Sequence, residues 1–214
     1  MALGVTNRMK RLLDLSVLGE VNSARMLIGL SDDVEERLGA LPAMKEFHER
    51  AEAALMFFLQ AHPGNETWRH EARIRAGLNE FYSLEDAARR GFKQSTQAVE
   101  APKLSESCHP LVHVMYSLRH INVHVKPSST EVRNVTVKFN NPEHDREYTY
   151  GAVMLTDGTV DDLLNHDDVR KHYRSAELKA AMAWLLRNQQ AFGVGRVFEV
   201  GVETYCREVL AALK

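Results

Sequence analysis

The sequence predicts a mainly α-helical protein, a helical bundle with one small β-hairpin inserted after its central helix. Three observations predict it. Apolar residues recur at three- and four-residue spacings through most of the chain. Proline and turn residues fall at the boundaries of those stretches. Only one region, about 131–156, changes to the alternating β-branched and aromatic texture of strands. At 214 residues the chain is long enough for one domain, 1–214, with a core of its own.

Taken in order, 5–30 carries Met9, Leu12, Leu13, Leu18, Met26, Leu27 and Leu30 at helical spacing, which predicts one core-facing helix or two consecutive ones. Ser31-Asp32-Asp33 reads as a cap and turn. Pro42 sits where a first-turn proline belongs, ahead of a helix over 43–60. His62-Pro63-Gly64-Asn65 ends that helix, and 66–93 forms a long charged one striped by Trp68, Ile74, Leu78, Phe81 and Leu84. A connector to Ala101-Pro102 leads to the central helix, 110–125, which Lys126-Pro127 stops because a residue before proline is pushed out of helical space. Val132, Val135, Val137 and Phe139 pair with Tyr148, Tyr150, Val153 and Leu155 around Asn140-Asn141-Pro142-Glu143. Asp157-Gly158 makes a turn, 160–165 a short helix, and 175–190 and 194–213 two closing helices. Gly193 and Gly195 either separate these two or sit in the start of the second.

Composition narrows the function classes. With 27 Lys+Arg against 29 Asp+Glu, the net charge of −2 lacks the basic excess of a dedicated duplex-DNA binder and leaves room only for a local basic groove. Cys108 and Cys206 are far apart and form no CxxC pair, which argues against a disulfide framework and fits a reducing cytoplasm. No apolar run reaches the eighteen or so residues of a membrane span, so a soluble cytoplasmic protein is expected. There is no P-loop, G-x-G-x-x-G or G-x-S-x-G, so nucleotide triphosphatase, dinucleotide oxidoreductase and serine-hydrolase chemistry have no support.

The ten histidines are the unusual feature. On a helix at about 100° per residue, His113, Ser117, His120 and His124 fall within roughly 60° of one another. The rest of 110–125 is apolar nearly all round, so this seam is a polar line on a buried element. One reading has neighbouring carbonyls and carboxylates satisfying these histidines. Another is metal binding, since His109/His113 and His120/His124 are each H-x3-H pairs. His113 and His124 are about 16 Å apart along the axis, so one ion could use only part of the seam, with a further ligand from another helix.

Arg119 opens a third reading. It lies off the seam between apolar neighbours, where a guanidinium needs an anion or acceptor. Arg119-His120-Ile121-Asn122-Val123-His124 resembles the R-x4–6-H motif of the HEPN family (higher eukaryotes and prokaryotes nucleotide-binding domains), in which a polar residue follows the arginine as His120 does here. The resemblance covers the heptad Leu118–His124 and, beyond it, a general pattern of helices. It implies a helical bundle that dimerises to bring two motif copies into one cleft, RNA or nucleotide binding and, in many members, endoribonuclease activity that needs no metal or other cofactor. It also implies a defence or toxin-type setting, with a cognate antitoxin-type protein as a partner. Carried over, Arg119 would hold the scissile phosphate, His124 would act as general acid or base and His120 would orient the site. Arg119 and His124 are about 140° apart on a regular helix, so they converge if the helix unwinds near Lys126-Pro127 or if a second protomer completes the site.

Outside the motif, Arg69, His70, Arg73 and Arg75 make a basic helix face. It is either a solvated surface or, with Arg69, Arg73 and Asn122 as binding residues, a track for phosphates. His166, Asp167, Asp168 and His172 cluster in sequence, with helix capping by Asp168 as the simplest account. A non-catalytic nucleotide- or RNA-binding or protein-interaction module, and a metal-binding bundle using His120 and His124, are the competing expectations.

Overall fold

The computed structural model describes residues 10–19, 29–60, 67–95, 99–124, 128–139 and 146–213. Within them it is mainly helical, with a single two-stranded antiparallel sheet. The helices are α1 (Asp32–Gly39), α2 (Lys45–Leu59), α3 (Thr67–Gln94), α4 (Pro110–His124), α5 (Asp157–Asn165), α6 (Asp167–His172), α7 (Ser175–Phe192) and α8 (Val194–Ala212). Strands β1 (Thr130–Phe139) and β2 (Arg146–Leu155) follow α4, in register from Thr130↔Leu155 to Phe139↔Arg146. No described helix is long and apolar enough to cross a membrane.

The core lies among α2, α3, α4, α7 and α8. Its largest wholly buried side chains include Tyr205, Phe47, Phe58, Phe81 and Phe198, with Phe58 edge-on to Phe198 at 5.1 Å. The closeness of α8 to α2 depends on Gly195, where a Cβ would fall 2.5 Å from the Phe58 carbonyl oxygen. Gly193, at φ 83°, is the break between α7 and α8, so of the two glycines it is the separator and Gly195 belongs to the helix start. The hairpin is fastened to this frame. The Gln189 amide accepts from the Leu155 N–H and donates to the Leu155 carbonyl, at 3.0 and 3.1 Å. Glu71 accepts from the Thr130 N–H at 3.3 Å.

Several elements differ from the sequence reading. Within the predicted 5–30 helix, residues 10–19 form a strap with only a single 3-10 turn, Leu15–Val17. Two of its backbone bonds go outward: Arg11 N–H to the His172 carbonyl at 2.8 Å and Asp14 N–H to the Cys108 carbonyl at 2.9 Å. Leu13 is buried and Leu12 exposed, so the strap sinks one side chain where a helix would have sunk a stripe. The remainder of that expectation lies outside the described residues. Ser31 is the N-cap residue of α1, a helix the spacing did not predict. Asp157-Gly158 begins α5, so it is a helix start rather than a separate turn. The N-cap of α6 is His166, and Asp168 lies in its first turn.

Candidate functional site

The histidine seam divides at the middle of α4. His113 is wholly buried. Its Nε2 faces the Ser107 carbonyl and its Nδ1 lies 2.8 Å from the Tyr173 hydroxyl. A carbonyl only accepts, so Nε2 carries the proton and Nδ1 accepts from Tyr173 O–H. Burial pushes the His113 pKa down to about 4, which keeps the ring neutral and this tautomer in place. The Tyr173 oxygen in turn accepts from Arg11 Nη1 at 2.7 Å. The first half of the seam is therefore satisfied by the protein itself.

One turn on, the seam opens. Ser117 and His120 line a cleft of about 150 Å³ with Arg11, Tyr116, Asp168, His172 and Tyr173. Strap, α4 and α6 build it together. The His120 side chain is 40% exposed, with Nε2 3.7 Å from Asp168 Oδ2. His166 packs edge-on against it at 5.8 Å, its Nδ1 shut from solvent without a hydrogen-bond partner among the described residues. A hydrogen bond from Lys171 lowers the Asp168 pKa, so this wall of the cleft carries a negative charge. Arg11 stands between Tyr116 and Tyr173, its Cζ 5.5 and 5.4 Å from their ring centres.

Arg119 lies on the other side of Tyr116. It is half-buried and its guanidinium is stacked on Tyr82 of α3, Cζ 4.0 Å from the ring centre. Tyr82 packs on Tyr116 at 5.6 Å, so an unbroken row of rings and guanidinium groups joins Arg119 to the cleft. Arg119 Nε is closed to solvent and has no hydrogen-bond partner among the described residues.

The other expected site residues are placed as follows. Asn122 is used internally: its amide donates to the Leu118 carbonyl and to Ser128 Oγ, both at 2.9 Å, and accepts from the Ser128 N–H. This fastens the chain that leaves α4. The backbone of α4 is helical through His124, whose side chain lies outside the described residues. α3 runs antiparallel to α4, since Glu71 meets Thr130 after α4 while Glu85 accepts from the Leu104 N–H before it. Arg69 and Arg73 therefore stand at the end of α3 that flanks the C-terminal end of α4. Arg69 is exposed beside Trp68, and Arg73 donates to the Gln60 carbonyl at the end of α2. His70 is buried and does not belong to that face. In the hairpin, which carries none of the expected site residues, the Tyr150 hydroxyl donates to the Ala191 carbonyl at 3.0 Å.

Three residues of the cleft lie outside the histidine seam and the Arg119 motif. In the sequence Asp168 and His172 look like the solvated side of a short helix, and Arg11 like one more charge near the N-terminus. The signal for the former was in plain view, because Asp168 and His172 are one helical turn apart and share a face. Arg11 gave no signal, since only the strap's path brings it to Tyr173. His120 belongs to no group of three potential metal ligands among the described residues; the single such group lies on other helices. No protein-family model, curated protein or solved structure matches this chain.

Proposed function

We propose that this chain is a HEPN-like, RNA-acting protein whose site is the exposed half of α4, and that it cleaves RNA without a metal. The observation that carries the reading is Arg119, stacked on Tyr82 with an unsatisfied Nε, next to the half-exposed His120 on the same helix. Arg119 holds a phosphate and the negative charge that grows on it. The 2′-hydroxyl attacks phosphorus, the P–O5′ bond breaks, and the products are a 2′,3′-cyclic phosphate and a 5′-hydroxyl. A base must take the 2′ proton and an acid must supply one to the 5′ oxygen; His124 and His120 are the candidates on α4. The nucleophile already stands beside the phosphate, so positioning and proton transfer suffice.

α4 keeps its helical path through His124, which leaves Arg119 and His124 of one chain about 140° apart. A second copy of the chain would bring a His124 to the first copy's Arg119. The active form is therefore a homodimer in this reading. A non-catalytic RNA-binding module is favoured by a separate observation: Asn122, next to the motif's core, is spent on tying down the α4 exit.

The test is incubation of the purified chain with single-stranded RNA in EDTA. Cleavage is expected, with Arg119→Ala and His124→Ala each reducing the rate by about 10²–10³-fold. RNA binding without cleavage in the wild-type chain would select the non-catalytic reading. Absence of both across varied substrates would overturn the proposal.

A further inference from the structure

We propose that Glu35, His48 and Glu52 form a site for a divalent first-row transition metal, tying α1 to α2 away from the α4 cleft. One donor atom from each of the three lies within 4.8 Å of the others. His48 and Glu52 are one turn apart on α2, which puts both on one face, and Glu35 reaches them from α1.

The histidine makes this more than a patch of surface acids. The His48 side chain is only 18% exposed, and its Nε2 is shut from solvent with no hydrogen-bond partner among the described residues. The nearest acceptor, Glu52 Oε1, is 3.7 Å away, too far for a hydrogen bond. A solvated i,i+4 His–Glu pair would leave that nitrogen in water; here it is sealed beside the Glu52 carboxylate. Glu35 makes no ion pair among the described residues, and the only partner of Glu52 there is His48. Two carboxylates brought together without a cation repel, and a dication removes both charges at once.

The donor set selects the ion. One imidazole nitrogen with two carboxylate oxygens suits Zn²⁺, Co²⁺ or Mn²⁺ and gives no thiolate for Cu(I). Bonds of about 2.0–2.2 Å in a tetrahedral shell put donors about 3.4 Å apart, so the widest of these separations must close by up to about 1.4 Å. Glu35 and Glu52 are exposed, with side chains free to rotate that far, and water completes the shell.

Calorimetric titration of the EDTA-stripped chain with Zn²⁺, alongside thermal unfolding, tests the site. One equivalent should bind, and the melting temperature should rise with Zn²⁺ concentration. Glu35→Gln and His48→Ala should each weaken binding at least about tenfold. Glu35→Gln changes an exposed side chain, so it decides the matter even if His48→Ala fails to fold. His120→Ala should leave stoichiometry and affinity unchanged. The proposal is overturned if the wild-type chain takes up no Zn²⁺, if Glu35→Gln binds it as tightly as wild type, or if His120→Ala abolishes the binding.

Discussion

The two halves of α4 present the same kind of residue to opposite fates. At its start, His113 is sealed between the Ser107 carbonyl and the Tyr173 hydroxyl, neutral and wholly satisfied. Two turns later, His120 is 40% exposed above a cleft and shares its neighbourhood with Asp168, His166 and a stacked arginine on the same helix. The helix does not make this difference. What packs on it does: Tyr173 and the strap cover the first half, while over the second they and α6 leave a gap. A buried imidazole with both nitrogens engaged holds structure together, and a half-exposed one stays in contact with solvent.

The largest effect that would sharpen this contrast is on stability. His113→Ala should cost about 2–4 kcal/mol, through the cavity and the loss of partners for Tyr173 and Ser107, as read from denaturant unfolding. His120→Ala should barely move the same midpoint. Equal losses from the two substitutions would break the comparison. The pH dependence follows from the same burial. The His113 pKa is about 4 when folded against 6.5 otherwise, so its neutral form contributes stability that is present above about pH 6.5 and lost as pH falls toward 4. The size is up to about 3 kcal/mol. Glu199 runs the other way: burial, outweighing Arg196, raises it to about 7, so its contribution is full below about pH 4.5 and is lost as pH rises through 7. Unfolding in a Glu199→Gln background should therefore show a steeper loss from pH 6.5 to 4 than wild type. A smaller effect is expected from Tyr173→Phe, which removes the hydroxyl between His113 and Arg11. A loss of about 1–2 kcal/mol in unfolding would fit, and no change would mean that the row from Arg11 to His113 contributes nothing.

How much of this was legible depends on where the information resides. α4 was readable because Pro110 starts it and its Leu, Val, Met and Ile residues recur at helical spacing. The hairpin was readable from its β-branched alternation. α1 and α6 were not, because they have 8 and 6 residues, too few for a period, and stand on little more than Val34, Leu38 and Val169. The strap misled for the opposite reason: Leu12 and Leu13 suit a helix, yet backbone bonds to His172 and Cys108, distant in sequence, hold that segment extended. The seam itself was legible as a polar line. Which end of it is closed was not, since Tyr173 and Ser107 decide that from outside the helix.

The smallest expected effect concerns Asp168, and it distinguishes two uses of the open half. Asp168 is exposed, paired with Lys171 at 3.0 Å, and 3.7 Å from His120. If the cleft beside Arg119 receives phosphate, this carboxylate opposes the ligand. Asp168→Asn should then raise affinity for a single-stranded RNA oligonucleotide a few-fold at low salt. Because the group is exposed and screened, the gain should vanish at high salt, with no change in the unfolding midpoint. Weaker binding or slower cleavage instead would make Asp168 the residue that orients His120, since an imidazole near a carboxylate is held in one ring setting. The two outcomes differ in sign, so a fluorescence-anisotropy titration at two salt concentrations separates repulsion from orientation.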